Sequence, residues 1–155
     1  MASCPKRILI VEDNKLDVKL LKDILETRGY ETLQTGDGLE AISLALAHLP
    51  DLILMDIQLP EISGLEVTRR LRGDNRSRHI PIVAVTAFAM GWDRREALDS
   101  GCDAYISKPI SILGLLSTVE RSFRDSSSPT SETPVRDDLP RGGERSPRQF
   151  APVIK

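Results

Sequence analysis

The sequence predicts an α/β protein: a parallel five-stranded sheet with helices on both faces. Short apolar runs alternate with helical patterns five times along residues 7 to 124. That order builds parallel sheets joined by right-handed crossovers. The runs are continuously apolar rather than alternating, as expected of strands covered on both faces. Four of them stop at a polar or charged residue, which is costly to bury without a partner. No internal repeat period appears.

Arg7-Ile-Leu-Ile-Val11 is the first strand and ends in Glu12-Asp13. Asn14 is placed to cap a helix, with Asp17 favouring its N-terminus. Leu16, Leu20, Leu21, Ile24 and Leu25 recur at helical spacing, and Gly29 fits the stop. Glu31 to Thr35 is a weaker strand, expected near an edge. Asp37-Gly-Leu-Glu40 resembles a capping box, and Ala41, Ile42, Ala45, Leu46 and Leu49 form the next helix face. Asp51 to Met55 is the third strand, ending abruptly at Asp56. Ser63-Gly-Leu-Glu66 opens a helix with Leu65, Val67 and Leu71 inward and Arg69, Arg70 and Arg72 mostly solvated. Ile82 to Val85 is the fourth strand, ending at Thr86. Arg94 to Ser100 reads as a short, apolar-poor helix closed by Gly101. Ala104 to Ile106 is the fifth strand, followed by Ser107-Lys108-Pro109. Ser111 to Arg124 is the last helix, with Leu115, Leu116, Val119 and Phe123 on one side.

The 155 residues amount to about one domain with a sizeable core. Lys and Arg number 21 against 23 Asp and Glu, whereas a dedicated nucleic-acid binder normally carries a clear basic excess. No apolar run approaches the ~20 residues that span a bilayer, and Met1 to Arg7 is too short and polar for a signal peptide. A cytoplasmic location is therefore expected, with no nucleic acid and no membrane insertion. Cys4 and Cys102 make no ligand-spaced set; both read as reduced thiols, Cys102 as core filler. His48 and His79 read as surface residues.

Composition shifts at Asp125. The last 31 residues hold five of the ten prolines, and their five basic and five acidic residues cancel. Residues 1–124 are expected to form the folded domain and 125–155 a disordered Pro/Ser-rich tail. Phe150 to Ile154 is the tail's only apolar cluster, a candidate docking segment.

In an open parallel sheet, function collects beyond the carboxyl ends of the strands. There the chain places Glu12 and Asp13, Asp56, Thr86 and Lys108. Any one alone would read as a turn; the coincidence across four strands is the signal. Clustered carboxylates repel, and a cation favours their ionised state. An all-oxygen set with incomplete protein ligation suits Mg²⁺; zinc would call for His or Cys at these strand ends. Mg²⁺ beside a carboxylate and a lysine is a phosphoryl-transfer arrangement. Asp56 is placed to be the nucleophile and become an acyl phosphate. Lys108 would offset charge on the transferring group, and the Thr86 hydroxyl could donate to a phosphoryl oxygen. Ala87 is small and leaves its backbone N–H approachable.

Ile8-Leu-Ile-Val-Glu-Asp-Asn14, Leu54-Met-Asp-Ile-Gln-Leu-Pro60, Ser63-Gly-Leu-Glu66, Val85-Thr-Ala87 and Tyr105-Ile-Ser-Lys-Pro109 together resemble the receiver domain of two-component response regulators. The resemblance covers residues 7 to 124. It implies a flavodoxin-like fold with sheet order 2-1-3-4-5. It implies that Asp56 accepts a phosphoryl group from a histidine kinase or histidine phosphotransfer protein. It implies Mg²⁺ held by Asp13, Asp56 and the carbonyl of Gln58, with Glu12 acting through water. Thr86 and Tyr105 match the family's switch pair, and Lys108-Pro109 its cis peptide. Glu12 stands where Asp is common, and Ser63 where Asp often precedes the glycine. Water-mediated ligation tolerates the extra methylene of Glu12.

Val85-Thr-Ala-Phe-Ala-Met90 and Gly101-Cys-Asp-Ala-Tyr-Ile-Ser-Lys-Pro-Ile110 are most similar to the DivK type, single-domain regulators in alphaproteobacterial cell-cycle control. Nothing after residue 124 has the pattern of a helix-turn-helix or an enzyme domain, so the expected output is contact with a downstream protein. By resemblance, the face of the fourth helix, fifth strand and fifth helix is the one that switches, with Trp92 a candidate anchor for that protein. A monomer or weak dimer is expected, a signalling protein rather than an enzyme. The alternative is a Mg²⁺-dependent phosphohydrolase with an Asp nucleophile. Such enzymes need a second Asp two residues on, where this chain has Gln58. A nucleotide-binding protein would need a GxxxxGK[ST] or GxGxxG loop, which is missing.

Overall fold

The computed structural model describes residues 5–87 and 91–127, and side chains for all of these except 91–93 and 125–127. Its elements are β1 (Arg7–Val11), α1 (Lys15–Thr27), β2 (Glu31–Thr35), α2 (Gly38–His48), β3 (Leu52–Asp56), α3 (Gly64–Arg72), β4 (Ile82–Thr86), α4 (Gly91–Asp99), β5 (Ala104–Ser107) and α5 (Ile112–Ser127). The five strands are parallel, in the order β2-β1-β3-β4-β5. This is the α/β architecture and strand order expected, with the weak strand β2 at an edge. The order reverses between β1 and β3, which opens a crevice beyond their carboxyl ends.

Side-chain alternation divides the core in two. Leu9, Val11, Ile53, Met55, Ile82 and Ala84 face one side, with Ala41 and Ala45 of α2, Leu65, Val67 and Leu71 of α3, and Ala97 of α4. Ile8, Ile10, Leu52, Leu54, Val83 and Val85 face the other, with Leu21, Ile24 and Leu25 of α1 and Leu115, Leu116 and Val119 of α5. β1, β3 and β4 are buried almost throughout, which is why their sequences are apolar at every position.

The caps follow the sequence. Asn14 Oδ1 accepts from the backbone N–H groups of Leu16 (3.0 Å) and Asp17 (3.1 Å), and Gly29 takes the positive φ of +90° that ends α1. Asp37 caps α2 by accepting from Leu39 N–H, while Glu40 engages the Thr35 hydroxyl across the loop. Cys102 is buried, and burial pushes its thiol up to about 11.

Several readings are corrected. Leu16 and Leu20 are 79% and 39% exposed, because α1 turns only the Leu21, Ile24 and Leu25 stripe inward. Leu49 is the left-handed residue ending α2, not part of its buried face. β3 begins at Leu52 and includes Asp56. α4 begins at Gly91 and α5 continues to Ser127. Arg72 is not solvated: its guanidinium donates to the carbonyls of Gly101 (2.8 Å), Arg78 (2.8 Å) and Ile80 (2.6 Å) and pairs with Asp103 (2.6 Å). Residues Met1–Arg124 form one unit and Asp125–Lys155 a second. Cys4 and the tail from Ser128 onward lie outside the described residues, as does the side chain of Trp92.

Candidate functional site

Asp56 is the last residue of the central strand β3 and only 5% exposed. It shares a face with Leu54, the side covered by α1 and α5. The chain then folds back tightly. The Gly64 N–H donates to the Ile57 carbonyl at 2.9 Å. A Cβ at Gly64 would lie 2.1 Å from the Asp56 carbonyl oxygen, so only glycine lets α3 start against the end of β3. In this turn the backbone N–H of Gln58 donates to Asp56 Oδ1 at 2.9 Å.

β1, next to β3, supplies two more acids. Glu12 is buried and its backbone N–H donates to the Thr35 carbonyl of β2. Its Oε2 accepts from Asn14 N–H (3.1 Å) and its Oε1 from Lys108 Nζ (2.8 Å). Asp13 is exposed at the mouth of the crevice. One carboxylate oxygen from each of Glu12, Asp13 and Asp56 lies within 4.8 Å of the others. These oxygens fit a hard divalent cation in number and kind, and the exposed mouth leaves room for waters in the remaining positions.

Lys108 arrives from the β5–α5 turn, 17% exposed at its side chain. Its backbone N–H donates to the Thr86 carbonyl at 2.8 Å, which ties the ends of β4 and β5 together. Its ammonium lies 3.0 Å from Asp17 Oδ2 and 3.7 Å from Asp56 Oδ2. Burial opposes the charge on Lys108. The hydrogen bonds from Glu12 and Asp17, with the charges of Asp56 and Glu12, outweigh it and raise the pKa above the ordinary lysine value. Asp56 moves the other way relative to its function: burial first, then the Glu12 carboxyl, push its pKa up to about 7, against the Gln58 N–H and Lys108. A bound cation would return it to the ionised form.

Thr86 is buried at the end of β4. It alternates with Ala84, which pairs with Tyr105, so Thr86 and Tyr105 share the α4 side of neighbouring strands. Tyr105 is half-buried against that core. Ala87 is exposed after β4, and the Lys108–Pro109 peptide is cis. Glu12, Asp13, Asp56 and Lys108 thus meet at one point. The site member that sequence reading missed is Asp17. Its place in the first turn of α1 was explained by helix electrostatics alone, and the only further signal was an acid one turn beyond Glu12-Asp13.

Known proteins resemble this chain in sequence and in fold. A family model described as the response regulator receiver domain matches residues 8–120. The polar-differentiation response regulator DivK of Brucella anthropi is 56% identical over 121 residues, covering 78% of this chain and 98% of the relative. DivK of Brucella ovis is 56% identical over 120 residues, with 77% and 98% covered. A crystal structure of the receiver domain of a sensor histidine kinase from Pseudomonas aeruginosa, with magnesium coordinated in its active site cleft, is 33% identical with a TM-score of 0.73, covering 77% of this chain and 98% of that one. A CheY-like receiver domain from Methanospirillum hungatei is 29% identical with a TM-score of 0.75, covering 81% and 98%. With its fold and most of its length matched in this way, the chain belongs to the response regulator receiver domain family.

Proposed function

We propose that Asp56 accepts a phosphoryl group from the phosphohistidine of a histidine kinase or phosphotransfer protein, and that the acyl phosphate alters the α4–β5–α5 face for a downstream protein. The observation that carries this reading is the meeting of three acids within 4.8 Å of one another with an ammonium 3.7 Å from Asp56. An Asp56 oxygen forms the new O–P bond as the P–N bond breaks, and the electron pair leaves on the imidazole nitrogen. Bound Mg²⁺, with Asp13, Asp56 and the Gln58 carbonyl as candidate ligands and Glu12 acting through water, would supply neutralisation of the transferring group's charge. Lys108, 3.7 Å from Asp56, adds a further positive charge. The Thr86 hydroxyl and the Ala87 N–H donate to phosphoryl oxygens once these are present.

Thr86 and Tyr105 lie on the side where α4 packs, and Ala97 is the only buried residue among 94–99. So light an anchorage suits an element whose position follows the phosphorylation state. The chain catalyses only its own phosphorylation and dephosphorylation on this reading. It works in the cytoplasm as a monomer or weak dimer, and its 56% identity to DivK favours a role in polar differentiation. With a small acyl-phosphate donor and Mg²⁺, wild type is expected to take up label and Asp56→Asn to take up none. Label at the wild-type level in that variant would refute Asp56 as acceptor.

A further inference from the structure

Lys108 has three N–H donors and three neighbouring carboxylates, and it does not treat them equally. Glu12 Oε1 is 2.8 Å away and Asp17 Oδ2 3.0 Å, while Asp56 Oδ2 stands at 3.7 Å, beyond hydrogen-bond reach. The ammonium is thus held off the residue it is needed beside. We propose that Asp17 is a positioning residue, a tether that keeps Lys108 away from Asp56 until a phosphoryl group is present and so sets how readily the switch is thrown. This rests on the reading of Asp56 as the acceptor.

The two tethering acids differ in what they can release. Glu12 is 2% exposed, and its other oxygen is fixed by the Asn14 N–H, so a lost lysine would leave buried charge behind. Asp17 is 30% exposed at its side chain and can take water in exchange. Its position is set by the cap of α1, where Asn14 Oδ1 holds the Asp17 N–H at 3.1 Å. A phosphoryl group on Asp56 brings further anionic oxygens, and charge-assisted bonds to them compete directly with the Asp17 contact. Asp17 is the contact given up, while Glu12 remains as the pivot.

The test compares beryllofluoride, a mimic of the acyl phosphate, in the presence of Mg²⁺. Its affinity is measured for wild type, Asp17→Asn, Asp23→Asn and Asp56→Asn, together with the Nζ resonance of Lys108 by NMR. Asp23 is an exposed acid of the same helix, paired with Lys19, and controls for general charge. Asp17→Asn is expected to tighten binding by roughly three- to tenfold, the scale of a partly exposed charge-assisted contact. Without the mimic, its Lys108 resonance should already lie displaced toward the wild-type mimic-bound position, while Asp23→Asn changes neither. Unchanged or weaker binding in Asp17→Asn, an unmoved Lys108 resonance, or an equal gain in Asp23→Asn overturns the tether. Wild type that binds no more mimic than Asp56→Asn strikes at the acceptor reading instead. The Lys108 resonance of mimic-free Asp17→Asn still decides whether Asp17 holds the ammonium.

Discussion

Asp56 carries two demands that conflict: it must be buried to be protected and ionised to react. Its folded-state pKa is pushed up to about 7 by burial and by Glu12, from an ordinary 3.8. A raised pKa means the folded state binds the proton more tightly than the unfolded one. The stability this contributes is fully present below about pH 4 and is lost as pH rises through about 7. In divalent-free buffer, Asp56→Asn is therefore expected to be more stable than wild type at pH 8, by roughly 1–3 kcal/mol, and to show no such gain at pH 4. Denaturant melts at the two pH values check this; equal gains at both would show that the carboxylate is not held protonated by its surroundings. Glu12, Asp13, Asp56 and Lys108 were legible in the sequence because a polar residue ending an apolar strand needs no distance to be noticed. Asp17 was not, because its meeting with Lys108 spans 91 residues and depends on the phase of α1 and the path of the β5–α5 turn.

At the scale of elements, apolar periodicity located α1, α2, α3 and α5 but did not orient all of them, and apolar-poor α4 was marked chiefly by the stop at Gly101. Leu16 and Leu20 have the spacing of a core face, yet α1 shows them to solvent because the Leu21, Ile24 and Leu25 stripe fits the sheet better. Arg72 was misread for a related reason. Besides Asp103, its partners are backbone carbonyls from two loops, which no side-chain pattern announces. Among them is Gly101, at φ +115°, where a Cβ would meet the Arg72 side chain at 2.7 Å. The tightest junction is that of β3 and α3. Gly64→Ala is expected to cost about 2–3 kcal/mol or more, since the added carbon meets backbone that cannot yield. A chemical melt that leaves this variant within about 0.5 kcal/mol of wild type would show that the junction relaxes freely.

For the molecule as a whole, the five-fold alternation specified a parallel sheet, but the order 2-1-3-4-5 came from resemblance and was then found in the strand pairing. Alternation alone does not say which strand neighbours which, because each crossover can step either way along the sheet. The composition of the tail supports a further proposal, that the receiver fold is complete without it. Deleting residues 128–155, with their five prolines and five basic against four acidic residues, is expected to leave the melting temperature within about 2 °C of the full chain. A larger drop would mean that the segment packs. Asp13 beyond β1, Asp56 at the end of β3 and the distant Lys108 must serve one phosphoryl group. A crystal structure with Mg²⁺ and beryllofluoride tests this directly. It should place the ion on the Asp13 and Asp56 carboxylates, and Lys108 Nζ within about 3 Å of a fluorine on Asp56. An ion bound elsewhere, or Lys108 left turned away from an occupied Asp56, would contradict it.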